Sequence, residues 1–190
     1  MSTDHVSQYL QSRRERLTLL EAMWNDPKVQ MYNDVELPPK DGSPSVFLNG
    51  PTSRHQILEL NHRCLSVYHL RTAGFTGWIF APEPRGQEES DDFTERDYIH
   101  KWESSRRFSA SCNSFWIPRD GNELLGLNSN LELGIDLGKV LSGIEGQKVF
   151  VGWPDDAMRM GLPSHYRQLA DLPLYRNLWV MCEQIALQMK

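Results

Sequence analysis

Four short apolar runs, each leading into a turn and then a helical stretch, constrain this chain more than any other feature of it. They are Ser45–Asn49 (SVFLN), Trp78–Pro82 (WIFAP), Cys112–Ile117 (CNSFWI) and Gln147–Trp153 (QKVFVGW). Runs this apolar, with no regular polar alternation, read as strands buried on both faces. Between and after them the spacing predicts helices from about Ser53 to Ala73 (stopping at Gly74), over Phe93–Ser109, from Leu127 through LNSNLELGIDLGKVL, and over Leu172–Lys190. Strand–helix alternation of this kind implies an α/β fold. The expected form is a doubly wound, flavodoxin- or Rossmann-like parallel sheet of four to five strands with helices on both faces. In such sheets ligands sit beyond the carboxyl ends of the strands. The loops after the first three strands are therefore the place to look for chemistry.

Ahead of the first run, Val6, Leu10, Leu17, Leu20 and Trp24 recur at helical spacing after a possible Asp4 cap, and Asp26-Pro27 ends that helix. Residues 26–45 carry four prolines and read as an extended connection. The expected division is 1–44, an N-terminal helix and Pro-rich connection, and 45–190, the α/β domain. The final helix lines up Leu174, Leu178, Met181, Cys182, Ile185 and Met189 along one stripe, to pack on its own sheet or on a second subunit.

With 20 Lys and Arg against 25 Asp and Glu in 190 residues, the formal charge is −5, which argues against a nucleic-acid polymer or an anionic membrane as main partner. Cys64, Cys112 and Cys182 are dispersed, with neither disulfide-framework nor zinc-site spacing. The first residues lack the apolar core of a signal peptide, and no run approaches the length of a membrane span. The expectation is a reduced, soluble protein of the cytoplasm. His55, His62 and His69 recur every seven residues, about 10.5 Å of helical rise, too far apart for one metal ion. No metal or organic cofactor is implied.

The loop Asn49-Gly50-Pro51-Thr52-Ser53-Arg54 lets backbone approach a ligand closely, and its hydroxyls and the following helix start can hold hydroxyls or a phosphate. An ordinary capped strand–helix turn has the same composition. If Asn128 to Asn130 cap the fourth predicted helix, Glu132 falls in its first turn, where the macrodipole keeps a carboxylate ionised. Glu at that position is also commonplace helix stabilisation. Glu103 adjoins Trp102, and a carboxyl group against an aromatic wall has its pKa raised toward that of a general acid.

Taken as a set, VFLNGPTSR, the strand ending in AP-x-P-R, WESSRRFSASCNSFWIPRD, NSNLELGIDLGK and KVFVGWP resemble the nucleoside 2-deoxyribosyltransferase family and its nucleotide N-glycosidase relatives, over roughly residues 45–155. The resemblance implies that Glu132 is the nucleophile at C1′ of the sugar and that Glu103 hydrogen-bonds the base. It places Asn49, Gly50 and Thr52 along the sugar, and Pro84 and Arg85 near the ligand. With these go Pro51, Ser53, Trp102, Asn128 and Asn130 as candidate substrate contacts. The implied partner is a small nucleoside or nucleotide, and the implied assembly a homo-oligomer. Two positions depart from the pattern: Gly126 stands where transferases often carry an aspartate, and Phe47 where several members carry a tyrosine. Three functions therefore stay open: glycosidic cleavage or transfer through a covalent glycosyl-enzyme, nucleotide or nucleotide-sugar binding without turnover, and an unrelated α/β protein whose two glutamates only cap and solvate helices.

Overall fold

The computed structural model describes residues 3–32, 34, 42–52, 58–84, 93–120, 126–144 and 146–190. In chain order the elements are α1 (Thr3–Trp24), β1 (Val29–Gln30), β2 (Ser45–Asn49), α2 (His62–Thr72), β3 (Trp78–Phe80), α3 (Phe93–Ser109), β4 (Cys112–Trp116), α4 (Leu127–Leu141), β5 (Lys148–Gly152), α5 (Gly161–Leu169), β6 (Leu174–Tyr175) and α6 (Leu178–Gln188). The strands form one sheet in the order β1-β3-β2-β4-β5-β6, and every pairing is parallel. The α/β doubly wound architecture is therefore present, with six strands rather than four or five. The two additional ones are two-residue edge strands, too short to leave a periodic signal.

Pleating divides the core in two. Val46, Leu48, Ile79, Cys112, Trp116 and Phe150 point to one face and pack with Val67 and Leu70 of α2, Met181 and Ile185 of α6, and Leu20 and Trp24 of α1. On the other face Phe47 and Phe80 meet Ile99 and Trp102 of α3, while Phe115, Val149 and Val151 meet Leu133 and Leu137 of α4. The stripe predicted on the last helix thus packs on its own sheet. The N-terminal segment adds Leu20, Trp24, Val29 and Met31 to the same core. Salt bridges from Arg13 and Arg16 to Glu59, at 3.0 and 3.3 Å, hold α1 beside the turn before α2.

Several boundaries differ from the expected ones for local reasons. Helix α2 starts at His62, not near Ser53, because the Asn61 side chain accepts from the N–H groups of Arg63 and Cys64 and so caps it there. The last helix starts at Leu178 because Leu174–Tyr175 extend the sheet and Asn177 caps the helix through the Val180 N–H. Helix α5 was not anticipated: it is nine residues long and opens on Gly161 with Pro163 in its first turn, residues that read as a turn.

Candidate functional site

The sheet order reverses between β2 and β4, where Asn49 lies in register with Phe115. Beyond the carboxyl ends of these strands opens a cavity of about 380 Å³. Strand β2 and its loop give it Phe47, Asn49, Gly50, Pro51 and Thr52; α2 gives Arg63, the end of β3 Pro82, α3 Glu103, and the start of α4 residues 126–129 and Glu132. A smaller cavity of about 170 Å³ is lined by His100, Glu103, Ser104, Arg107, Asn128, Leu131 and Glu132. Glu103, Asn128 and Glu132 line both, so the two carboxylates stand where the spaces meet.

Gly50 is required by geometry. Its φ is +149°, and a Cβ there would lie 2.3 Å from the Trp116 carbonyl oxygen and 2.8 Å from His62 Nε2. The chain turns out of β2 against the end of β4, and only a residue without a side chain fits. Next to it, Asn49 is buried; its amide nitrogen donates to the Phe47 carbonyl at 3.4 Å, and its Oδ1 has no partner among the described residues. A buried amide oxygen left over at a cavity wall is a ready acceptor for a ligand hydroxyl or N–H.

Arg63 supplies the cation of the site. Residues 63, 67 and 70 share one face of α2, so this arginine sits in the stripe that also carries buried Val67 and Leu70, and it is only 3% exposed. Its Nη1 donates to Glu83 Oε1 at 2.5 Å and to the Pro82 carbonyl at 3.2 Å, and its Nη2 donates to the Gly50 carbonyl at 2.7 Å. One guanidinium therefore ties the loop after β2 to the loop after β3. On the other side of the cavity, Arg107 donates to the Glu132 carbonyl at 2.8 Å and to buried Asp136 at 3.0 Å, and Asn113 donates to the same carboxylate at 2.8 Å. Helix α4 is thereby fixed to α3 at the turn that carries Glu132.

Glu132 does not lie in the first turn of its helix. Helix α4 starts at Leu127 behind Gly126, which has φ +59° and no side chain to cap with, so Glu132 falls in the second turn, out of reach of the free N–H groups. The expectation that the helix start would hold this carboxylate ionised is corrected: burial, and then the Glu103 carboxylate, push its pKa up to about 7, against the pull of Arg107 and Arg63. Burial likewise raises the pKa of Glu103, opposed by Arg63 and by His100, whose Nδ1 lies 3.6 Å away. Two neighbouring carboxyl groups, each driven toward its neutral form, can hold one proton between them near neutrality. That equips the pair to present an anion and an acid to one ligand.

Of the candidates from the sequence, Asn49, Gly50, Pro51, Thr52, Glu103, Asn128 and Glu132 meet at the larger cavity. Trp102 does not line it; it is buried in the core against Phe47, with ring centroids 6.3 Å apart. Asn130 is turned toward Arg119, which donates to its Oδ1 at 2.7 Å and to the Gly126 carbonyl at 3.1 Å, holding the entry to α4. Pro84 is half-buried outside both linings. Ser53 and Arg85 lie outside the described residues. Arg63, Glu83 and Arg107 were not anticipated. The signal for Arg63 was present: a cation on the apolar face of a helix needs a buried acid. No family model matches this chain, and no curated protein matches it.

Proposed function

We propose that the protein cleaves or transfers at the N-glycosidic bond of a nucleoside or nucleotide, with Glu132 as nucleophile and Glu103 as acid. The observation that carries this is the meeting of the two carboxylates, both with raised pKa, at one cavity at the sheet's switch point. The resemblance to deoxyribosyltransferases and nucleotide N-glycosidases supports the same roles.

A Glu132 carboxylate oxygen attacks C1′, the C1′–N bond breaks, and its electron pair leaves with the base, which takes a proton from Glu103. In the second half, water or another base attacks C1′, the Glu132–C1′ bond breaks, and the proton lost by the attacking group returns to Glu103. As positive charge develops on the sugar, it favours the arrangement of the shared proton in which Glu132 is the anion. Retaining chemistry of this kind works with carboxyl groups about 5–5.5 Å apart. Asn49 Oδ1 and the loop at Thr52 would meet the sugar hydroxyls, and the smaller cavity beside Glu103 would take the leaving group. The reading implies a homo-oligomeric enzyme of the cytoplasm.

Binding of a nucleotide or nucleotide-sugar without turnover is the second reading. It is favoured by the cavity lining itself, where Gly126 and Phe47 put no carboxylate and no hydroxyl. The deciding assay gives the protein a nucleoside and its 5′-monophosphate, each with and without an acceptor base, and reads free base and exchanged nucleoside by chromatography. Turnover abolished by Glu132→Ala supports the enzyme. Ligand-dependent thermal stabilisation without product, kept by Glu132→Gln, supports the binder.

A further inference from the structure

Glu132 and Asp136 stand four residues apart on α4, so both project from its inward face, beside buried Leu133 and Leu137. Like charges at this spacing destabilise a helix, and a buried ion pair adds little to stability over an apolar pair of the same volume. Asp136 is nevertheless only 1% exposed, at a position where a leucine would serve the fold. Both of its carboxylate oxygens are engaged. Arg107 of α3 donates to Oδ1 at 3.0 Å, Asn113 of β4 donates to Oδ2 at 2.8 Å, and Lys139 of α4 stands 3.4 Å from Oδ1.

Arg107 is the group this arrangement controls. It lines the smaller cavity with Glu103 and Glu132, and the same Nη2 that meets Asp136 donates to the backbone carbonyl of Glu132 at 2.8 Å. A rotation of the Glu132 side chain would bring its carboxylate onto that guanidinium. Such a charge-assisted pair would hold both carboxyls of the site ionised, leave no proton for the departing base, and occupy the oxygens that attack C1′.

We propose that Asp136 is a positioning residue: it engages Arg107 from behind and so keeps that guanidinium on the Glu132 carbonyl and off the Glu132 carboxylate. Around Glu132, α3 presents Glu103, His100 and Arg107, α2 presents Arg63, and α4 itself presents Asn128 and Asp136. Lys139 is turned to Asp136 and to Gln147 Oε1, each at 3.4 Å. Among the described residues, Arg63 is matched by Glu83 and Arg107 by Asp136. Each buried arginine beside the site thus has a carboxylate of its own, and the shared proton stays with Glu103 and Glu132. This deepens the reading of Glu132 as nucleophile and rests on it for its catalytic consequence.

NMR titration of the glutamate carboxyl carbons, on the full chain without substrate, tests it. The Glu132 signal is identified by its loss in Glu132→Gln, and its midpoint is expected at about 7 in the wild type. Asp136→Asn keeps the shape of the side chain and frees Arg107, so the midpoint should fall by about one pH unit or more. Removing the guanidinium as well, in Arg107→Gln/Asp136→Asn, should return it to the wild-type value or above. A residue that only supports the fold would not show this reversal. In the wild type the side-chain N–H signal of Arg107 should stay fixed while Glu132 ionises, a readout that needs no variant to fold. Where base release is measurable, the falling limb of kcat/KM should move to lower pH in Asp136→Asn, in step with the midpoint. An unchanged midpoint in Asp136→Asn, a double variant that keeps the lowered midpoint, or an Arg107 signal that follows the ionisation of Glu132 overturns the proposal. Absence of base release counts against the glycosidic reading alone, because the titration is read without substrate.

Discussion

Where one proton sits between Glu132 and Glu103 decides the chemistry at the scale of single residues. With its pKa pushed up to about 7 by burial and by Glu103, Glu132 keeps the pair's one proton up to that pH; above it both carboxyls are ionised and none is left for the departing base, so kcat/KM should fall as pH rises through about 7. The same shift carries a stability cost of known sign. The folded state binds this proton more tightly than the unfolded chain, whose carboxyl titrates near 4.5, the ordinary value for a glutamate. Stability tied to the group is therefore full below about pH 4.5 and is lost as pH rises through about 7. Glu132→Gln should abolish turnover, melt with the wild type near pH 4, and be more stable by about 3 kcal/mol at pH 8, read from denaturant titrations at the two pH values. Arg63→Met makes a second case. Losing the partner of buried Glu83 should cost about 3–5 kcal/mol. Because Arg63 favours the ionised forms of both site carboxyls, its loss should also move the falling limb of the pH profile upward. The two glutamates were legible through motif resemblance, but the environment of Glu132 was not. Sequence put it in a first turn by reading Asn128–Asn130 as the cap, whereas a glycine with positive φ one residue before Leu127 starts the helix.

Among the elements, the ends of β2 and α2 shape the cavity. Gly50→Ala would place a methyl group against the Trp116 carbonyl at a φ that L-residues rarely adopt, and should cost about 3 kcal/mol or more in thermal unfolding while opening the turn that carries Asn49 and Thr52. Asn61→Ala leaves two N–H groups at the start of α2 without their acceptor, Arg63's own among them, and should cost about 1–2 kcal/mol. Strands β2 to β5 were legible because their apolar runs are continuous. The capped start of α2 was not, since Asn61 is one polar residue inside a long helical pattern, and only its two accepted hydrogen bonds distinguish cap from continuation. Helix α5 was not, because Gly161 and Pro163 at its start read as a turn and nine residues give its Leu162, Tyr166 and Leu169 spacing little length to show in.

For the whole molecule, the order β1-β3-β2-β4-β5-β6 places the reversal of connection beside β2, and the cavity follows from that topology. The alternation of strands and helices made the architecture legible. It could not reveal that Val29–Gln30 close one edge of the sheet, or that a guanidinium from α2 would join two loops, because such long-range pairings leave no local pattern. The central claim is that the two carboxylates of the cavity act on an anomeric carbon. Intact-protein mass spectrometry after brief incubation with a nucleoside or its 5′-monophosphate, with free base measured in the same sample, tests it most directly. Release of base, with a sugar adduct on the wild type that maps to Glu132 and is lost in Glu132→Gln, is the expected result. Base release by Glu132→Gln at the wild-type rate, or no release from either substrate class by the wild type, would contradict it.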